Sequence, residues 1–289
     1  MGFLDKVTWD SPREGDLVAR QSTYESMTLC PARVGYSTHP DFDGSPSEPM
    51  FFGTSVHSVI DIRINNPDSL IPYNAGLLKS IIEALAIADD YTAPIGVRFI
   101  EEVMRAFSDW ESFWWKPIGS KLQGVKTETM IVRPLGKLSK SKAVWVQGTP
   151  DCVHRDGIVD WKTAGQGWDD GKATVRIQAP TYVWLEQDRF EWHAKVPFDY
   201  LVWDRRRKHW DTHSVIVEPH HIDSALKTLW EVARTIDAGI FVPTPAAPSG
   251  KPGRGWWCSK KFCGAWNICE FKHIVADGHP VTITRKETA

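Results

Sequence analysis

The stretch GTPDCVHRDGIVDWKT, residues 148–163, constrains the fold of this chain more than any other. It has the pattern of two apolar strands joined at Asp156-Gly157, a dipeptide typical of a two-residue hairpin turn. Residues that face each other across a hairpin share one side of the sheet, as do residues two apart on one strand. The pattern therefore predicts that Asp151, Asp160 and Lys162 project on the same side.

The other side of this hairpin carries Cys152, Val159 and Trp161, and we expect it to face a core. On the polar side the two carboxylates start about 5–7 Å apart, and they repel each other unless a cation or a proton lies between them. Oxygen ligands suit Mg²⁺ or Mn²⁺, and a nearby lysine would orient or help to deprotonate a water that attacks a phosphodiester. The same residues are also typical of a surface hairpin with an exposed salt bridge, so the hairpin alone leaves both interpretations open.

Composition indicates a globular protein with one large domain. Of its 289 residues, 42% are hydrophobic and 24% charged, and the formal net charge is -2. That charge excludes a broadly basic nucleic-acid coat protein but is compatible with a local basic groove. The sequence contains neither an apolar run of roughly 18–20 residues nor a secretory signal, so we expect no membrane contact and a cytoplasmic location, in a host cell if the gene is phage-encoded.

Helical periodicity dominates the first part of the chain, and strand alternation begins near residue 127. One helix begins near Pro49 and places His57 at the border of its apolar face. A later helical stretch contains Pro180, which should kink it or lie near its start. This order of helices and strands predicts an α/β fold with a small mixed sheet flanked by helices.

Four short motifs resemble those of the PD-(D/E)xK nuclease superfamily, and of its RecB-like exonucleases in particular. The superfamily signature is similar to TPD at 149–151 and DWK at 160–162. The RecB-like branch adds a G-x-x-x-H pattern, matched by GTSVH at 53–57, and a Q-x-x-x-Y pattern, matched by QAPTY at 178–182. Each motif is short, and their shared order carries the resemblance, which implies a restriction-endonuclease-like core.

The resemblance implies a role for each matched residue. His57, Asp151 and Asp160 would bind Mg²⁺ or Mn²⁺, with the backbone carbonyl of Trp161 as a fourth ligand. Lys162 would be the catalytic lysine. Taken alone, His57 is more typical of a hydrogen-bonded helix histidine, and only the company of the other motifs favours a ligand.

Gln178 and Tyr182 are four residues apart, so a helix would present them on one side. The resemblance implies that they contact DNA at the active edge of the sheet. By themselves they are typical of an amphipathic helix with a half-buried tyrosine. Glu128, in KTETMIV, stands where some family members have another acidic residue, and it is a second-tier candidate for the site.

The cysteines extend the resemblance to the iron-sulfur subgroup of RecB-like nucleases, which includes the AddB nuclease domain and CRISPR adaptation nucleases. Cys30 lies far upstream of Cys258, Cys263 and Cys269, and four thiolates can hold a [4Fe-4S] cluster. Because C-x4-C at 258–263 departs from the expected C-x2-C, a structural Zn²⁺ is the alternative. Cys152, on the apolar side of the hairpin, is expected to be an inert core residue.

We therefore expect one RecB-like domain over residues 1–289, with a helical cap at 22–125, a catalytic sheet core at 126–218, and a C-terminal helix with the cysteine cluster at 219–270. It would be a metal-dependent exonuclease that degrades single-stranded or duplex DNA from its ends, more readily 5′ to 3′ on single strands. Recombination, repair or phage DNA processing would be the setting, with a recombination or annealing protein as partner. The alternatives are a CRISPR-adaptation-type nuclease that trims ends, or a non-catalytic DNA-binding protein with a structural zinc.

Two further features have alternative interpretations. The run RRRK at 205–208 could hold DNA phosphates, although a charged turn between strands is usually only solvated. Trp110, Trp114 and Trp115 could stack on unpaired bases. Helical spacing places Trp110 and Trp114 on one side, which favours core packing.

Overall fold

The computed structural model describes residues 7, 10–190, 194–241 and 263–269. Within them the α-helices are α1 (Gln21–Leu29), α2 (Pro31–Tyr36), α3 (Glu48–Asn65), α4 (Ala75–Ala88), α5 (Val97–Trp110), α6 (Asp170–Thr174), α7 (Gln178–Leu185) and α8 (Pro219–Asp237). The β-strands are β1 (Leu17–Arg20), β2 (Lys126–Thr127), β3 (Ile131–Lys137), β4 (Ala143–Gly148), β5 (Cys152–His154), β6 (Gly157–Ala164), β7 (Val196–Asp204) and β8 (His209–Val217).

Helices α3, α4 and α5 bury their apolar faces in one core with the apolar side of the β5–β6 hairpin. Tryptophans fill much of that core: the ring of Trp161 lies 5.7 Å from that of Trp110 and 5.1 Å from that of Trp114, edge to face in both cases. Both helical tryptophans are buried. The core-packing interpretation of Trp110 and Trp114 is therefore confirmed.

The strands form two small mixed sheets where a single sheet was expected. One sheet has the order β1-β4-β3, and the other has the order β2-β5-β6-β7-β8 with β6 and β7 parallel. The chain leaves the first sheet at Gly148, passes Thr149 and Pro150, and enters the second at Cys152. Pro150 has no N–H to donate to a ladder, which explains why the apolar run from β4 to β5 is divided.

The hairpin turn lies one residue earlier than predicted. Its two loop residues are Arg155 and Asp156, and Gly157 already pairs with His154. A side chain at Gly157 would meet the carbonyl oxygen of Pro197 at 2.6 Å, so this glycine permits close approach to β7. Because moving a two-residue turn by one position shifts every pairing by two, the predicted division of side chains between the two faces survives.

The helical stretch around Pro180 is divided between α6 and α7. Pro180 is the third residue of α7, which begins at Gln178. Its missing N–H falls in the first turn, where a helix has no internal acceptor to lose. The proline thus lies near the start of its helix, as the sequence predicted.

In the basic turn between β7 and β8, one arginine forms ion pairs with acidic residues of the protein itself. Arg205 donates to Glu102 at 2.8 and 2.9 Å and to Glu48 at 2.9 Å, and its guanidinium lies 4.3 Å from the centre of the Phe52 ring. The buried carboxylate of Asp204 accepts hydrogen bonds from the next backbone amides of the turn. Arg205 therefore ties α3 and α5 to the end of β7.

The chain forms two compact units, one of residues 1–21 and 46–231, the other of residues 22–45 and 232–289. The first contains both sheets. In the second, the amide of Asp43 donates to the carbonyl of Gly264 at 3.0 Å, and a side chain at Gly264 would meet Asp43 O at 2.0 Å. Among the described residues, none of the helices combines the length and apolar character needed to cross a bilayer.

Candidate metal centre

Three carboxylates stand at the same level of three neighbouring strands. Thr127 faces Cys152 across the β2–β5 ladder, and the amide of Glu128 lies 3.4 Å from the carbonyl oxygen of Asp151, one residue further along. In the β5–β6 ladder, the next pair beyond Cys152 places Asp151 beside Asp160. The sheet topology therefore aligns Glu128, Asp151 and Asp160 in one row.

Helix α3 brings His57 to the first two of these carboxylates. Its Nδ1 lies 3.5 Å from Asp151 Oδ1 and 3.9 Å from Glu128 Oε1. One potential ligand atom from each of the three side chains lies within 4.8 Å of the other two. Carboxylate oxygens suit Mg²⁺ and Mn²⁺, and an imidazole nitrogen favours a transition ion such as Mn²⁺. These three residues form a candidate metal centre.

Gly53 explains how α3 comes close enough. A side chain at this position would meet Thr163 Oγ1, on β6, at 2.9 Å. The glycine precedes His57 by four residues, so it lies on the same side of the helix about one turn earlier. In the G-x-x-x-H motif, the glycine thus allows α3 to approach β6 closely, and the histidine one turn later lies beside the carboxylates at the end of the sheet.

Asp151 is fixed by its neighbours. Its Oδ2 accepts a hydrogen bond from the backbone amide of Trp161 at 2.6 Å. Burial by itself would raise the pKa of Asp151, but the charge and hydrogen bond of His57, the charge of Lys162 and the amide of Trp161 together outweigh it, and the net shift is downward. In return, Asp151 raises the pKa of His57 against the opposing effect of burial. The pair is held as an ion pair, and a bound cation would replace the imidazole proton.

Asp160 is completely buried and lies beside this group. Its Oδ1 accepts a hydrogen bond from Gln178 Nε2 at 2.9 Å. Its Oδ2 forms an ion pair with the ammonium of Lys162 and accepts no properly directed hydrogen bond from the described residues. Burial, and then repulsion from Asp151, raise the pKa of Asp160 to about 7.

Glu128, the second-tier candidate, turns out to be one of the three converging side chains. Its backbone is left-handed, with φ at 45°. Burial and then the charge of Asp151 raise its pKa to about 8. Nothing in KTETMIV indicates a left-handed residue. The signal that could have ranked Glu128 higher is its register, because a strand ending opposite Cys152 places the next residue opposite Asp151.

Helix α7 places Gln178 and Tyr182 on one side, as predicted, and both are nearly inaccessible, at 3% and 8% exposure. Burial and then the charge of Asp160 raise the pKa of Tyr182. A side chain at Gly148 would meet the Tyr182 ring at 2.7 Å, so α7 packs tightly on the end of β4. The side-chain amide of Gln178 donates a hydrogen bond to Asp160 in this structure, and a contact of Gln178 with DNA stays a prediction.

Three of the predicted cluster cysteines belong to the second unit. Cys30, Cys263 and Cys269 are half-buried free thiols, and Cys258 lies outside the described residues. Burial raises the pKa of Cys263, and the charges of Cys30 and Cys269 act in the same direction. Cys152 is fully buried in the first unit, and burial raises its pKa to about 12, which fits the expected inert residue.

No protein-family model matches this chain, and no curated protein sequence matches it. Solved structures do align with it, and two of them illustrate the similarity. The crystal structure of SSO0001 has 15% sequence identity and a TM-score of 0.39, over 91% of this chain and 89% of that one. The crystal structure of a candidate exonuclease from Eubacterium rectale has 12% identity and a TM-score of 0.50, over 78% of this chain and 82% of that one.

At such low identity the second alignment reports on the fold. Two small mixed sheets flanked by helices make this a mixed α/β protein, consistent with a restriction-endonuclease-like fold. The fold class predicted from the sequence is confirmed. A fold hosts many activities, so the function has to be argued from the site.

Proposed function

We propose that this protein is a divalent-metal-dependent exonuclease of the PD-(D/E)xK type that hydrolyses phosphodiesters from DNA ends. The observation that carries the proposal is the convergence of His57, Glu128 and Asp151, with Asp160 and Lys162 beside them. Phosphodiester hydrolysis needs ligands for a cation and a group that positions the attacking water, and this set contains both. The similarity in fold to a candidate exonuclease supports the same class.

The carboxylates of the site fit a cation. Burial and then repulsion from Asp151 raise the pKa of both Glu128 and Asp160, and a bound cation would offset that repulsion. Lys162 already pairs with the buried Asp160 Oδ2, whereas no donor among the described residues hydrogen-bonds to the buried Gln178 Oε1. Buried acceptors without donors are unfavourable unless a cation or water completes them. His57, Glu128 and Asp151 would hold the ion, with Asp160 as a further ligand; the Trp161 carbonyl stays a prediction. When bound, Mg²⁺ or Mn²⁺ supplies Lewis-acid stabilisation of the charge that develops on the phosphate.

Lys162 is proposed as the catalytic lysine. Its ammonium pairs with the buried Asp160, while 23% of its side chain remains exposed. The pairing fixes the amine at the boundary between the carboxylate row and solvent. From there it can orient a water molecule or donate a hydrogen bond to a phosphate oxygen.

The substrate we propose is DNA with a free end, degraded 5′ to 3′ with single strands preferred, in recombination, repair or phage DNA processing. The end-gripping role of Tyr182, one turn beyond Gln178 on helix α7, is proposed from the resemblance of the Q-x-x-x-Y motif, and it requires the buried phenol to become accessible to a strand end. Donors of this kind hold a strand by its phosphates without reading its sequence.

The proposal includes a thiolate-bound metal in the second unit, a [4Fe-4S] cluster or alternatively Zn²⁺. Two observations support it. Three of the thiols, Cys30, Cys263 and Cys269, are free, and the charges of Cys30 and Cys269 raise the pKa of Cys263. Four-thiolate sites hold either metal, and the fourth thiol would be that of Cys258. The metal would have a structural role, because it would link segments far apart in the sequence.

Digestion of end-labelled single- and double-stranded DNA tests this function. We expect cleavage with Mn²⁺ or Mg²⁺ and none with EDTA. Lys162→Ala should reduce the cleavage rate by about 100-fold or more and leave DNA binding intact. Cys152→Ala, a matched control whose side chain faces the core, should cleave as the wild type does. A Lys162→Ala rate equal to the wild-type rate would show that the site is wrongly assigned.

The end requirement is tested with one DNA molecule in two forms. A covalently closed single-stranded circle should resist degradation, and the same circle should be consumed after it is linearised. Rapid cleavage of the circle would identify an endonuclease. Binding without cleavage of either form would identify the DNA-binding protein that was the alternative.

A further inference from the structure

Thr127, the residue before Glu128, is tied to helix α3 by two side chains. Its Oγ1 donates to Asp61 Oδ1 at 2.5 Å, and Asn65 Nδ2 donates to Thr127 Oγ1 at 2.6 Å. Asn65 Nδ2 also donates to Asp61 Oδ1 at 2.7 Å, so the three side chains close a ring of hydrogen bonds. We refer to Asp61, Asn65 and Thr127 as the α3 clamp.

Glu128 needs such an anchor because its backbone is strained. A residue with a Cβ adopts φ near 45° only at an energetic penalty, and it persists there when the surrounding structure holds it. The β2 strand that precedes it has only two residues, and the Glu128 amide lies 3.4 Å from Asp151 O. A hydrogen bond of that length is weak. The clamp therefore supplies the firm attachment immediately before the strained residue.

The clamp and the histidine ligand share one face of one helix. His57, Asp61 and Asn65 are spaced four residues apart, so they form a stripe along α3. At one end His57 lies beside Asp151 and Glu128. Further along, Asp61 and Asn65 hold Thr127. The same rigid element thus fixes the imidazole and the backbone that carries the glutamate.

We propose that Asp61, Asn65 and Thr127 are positioning residues for Glu128, which fix its carboxylate beside His57 and so set the affinity of the site for a divalent cation. They act through Glu128 and do not themselves bind the ion. The inference rests on the proposed metal centre. Residues that hold metal ligands in place typically change metal affinity by about 10–100-fold when they are removed.

Manganese binding to the full chain, measured by isothermal titration calorimetry, tests this role with matched substitutions. Thr127→Val removes the hydroxyl at constant size and should weaken Mn²⁺ binding by about tenfold or more. Thr127→Ser keeps the hydroxyl and should bind nearly as the wild type does. Asp61→Ala should behave like Thr127→Val, and Asp61→Asn, whose amide oxygen still accepts, should be milder. Thr228→Val is the control, because among the described residues this hydroxyl donates to Ser224 O of its own helix and not to another element.

A double-mutant cycle with Glu128→Gln separates positioning from a general loss of structure. If the clamp acts through the Glu128 carboxylate, Thr127→Val should cause no further loss of Mn²⁺ affinity in the Glu128→Gln background. Amide hydrogen exchange of the metal-free protein gives a second measurement. Thr127→Val should accelerate exchange at residues 126–131 and leave residues 196–204 protected.

Wild-type Mn²⁺ affinity in Thr127→Val would overturn the clamp and leave the proposed nuclease standing. The clamp would also be overturned if Thr127→Val lowered Mn²⁺ affinity in the Glu128→Gln background by as much as it does in the wild type. A wild-type chain that binds no Mn²⁺ would overturn both the clamp and the metal centre it serves.

Discussion

At the scale of single residues, the buried carboxylate of Asp160 lowers the free energy of unfolding when it is ionised. Burial and Asp151 raise the pKa of Asp160 to about 7, whereas an unfolded aspartate titrates near 4. The folded chain therefore binds this proton more tightly than the unfolded chain, and the free energy of unfolding falls as the pH rises from about 4 to about 7. We expect metal-free Asp160→Asn to be more stable than the wild type at pH 8, by on the order of 2 kcal/mol.

Urea unfolding in EDTA at pH 8 and pH 5 checks this, and the difference should shrink at the lower pH. Asp156→Asn, in the exposed turn of the hairpin, is the control and should change little at either pH. An Asp160→Asn variant that is less stable than the wild type at pH 8 would contradict the assigned pKa direction.

At the scale of secondary-structure elements, the approach of α3 to β6 depends on Gly53. Gly53→Ala would place a methyl group 2.9 Å from Thr163 Oγ1, and the helix would have to shift. We expect a loss of about 1–2 kcal/mol in the free energy of unfolding, with weaker Mn²⁺ binding because His57 moves with the helix. Thermal unfolding and calorimetry measure the two effects.

The double variant Gly53→Ala/Thr163→Ala restores the space and should recover both properties. It should reach or exceed wild-type stability, because alanine is favoured over glycine inside a helix by about 1 kcal/mol. Thr163→Ala alone serves as the control. If the double variant is no better than Gly53→Ala, the close contact is not the reason for the glycine.

The second element-scale prediction concerns α7. Gln178→Ala removes the donor to Asp160 Oδ1 and leaves a buried carboxylate oxygen unpaired. We expect about 1–3 kcal/mol lower stability at pH 8 and roughly tenfold weaker Mn²⁺ binding. Gln166→Ala, at an exposed position, is the control. A Gln178→Ala variant in which only the KM for DNA rises would favour the strand contact predicted from the sequence.

At the scale of the whole molecule, the proposed thiolate cluster belongs to one unit and the carboxylate row to the other. Cys263→Ser should remove the iron or zinc of anaerobically purified protein and lower the thermal midpoint by roughly 5–10 °C. Elemental analysis and visible absorbance identify the metal, with brown protein indicating the cluster. Cys152→Ala should keep the metal. Unchanged iron and zinc in Cys263→Ser would contradict the cluster.

Much of the candidate site could be predicted from the sequence, because the relative positions of its residues depend on strand alternation and helix spacing within short segments. Alternation along two strands is enough to place Asp151, Asp160 and Lys162 on one side, even with the turn displaced by one residue. The spacing of four residues is enough to place Gln178 and Tyr182 together on a helix. The apolar periodicity of α3 likewise predicted where His57 lies.

The remaining features of the candidate site follow from the three-dimensional fold, because they depend on contacts between segments far apart in the chain. Glu128 reaches His57 because its backbone is left-handed at the end of β2. The preceding Thr127 is hydrogen-bonded to Asp61 of α3, which is more than sixty residues away in the sequence. The division into two sheets and the pairing of Gln178 with Asp160 depend on packing in the same way. Strand alternation and helix spacing are fixed by the covalent geometry of a few neighbouring residues, whereas the position of one element against another is fixed by the whole core.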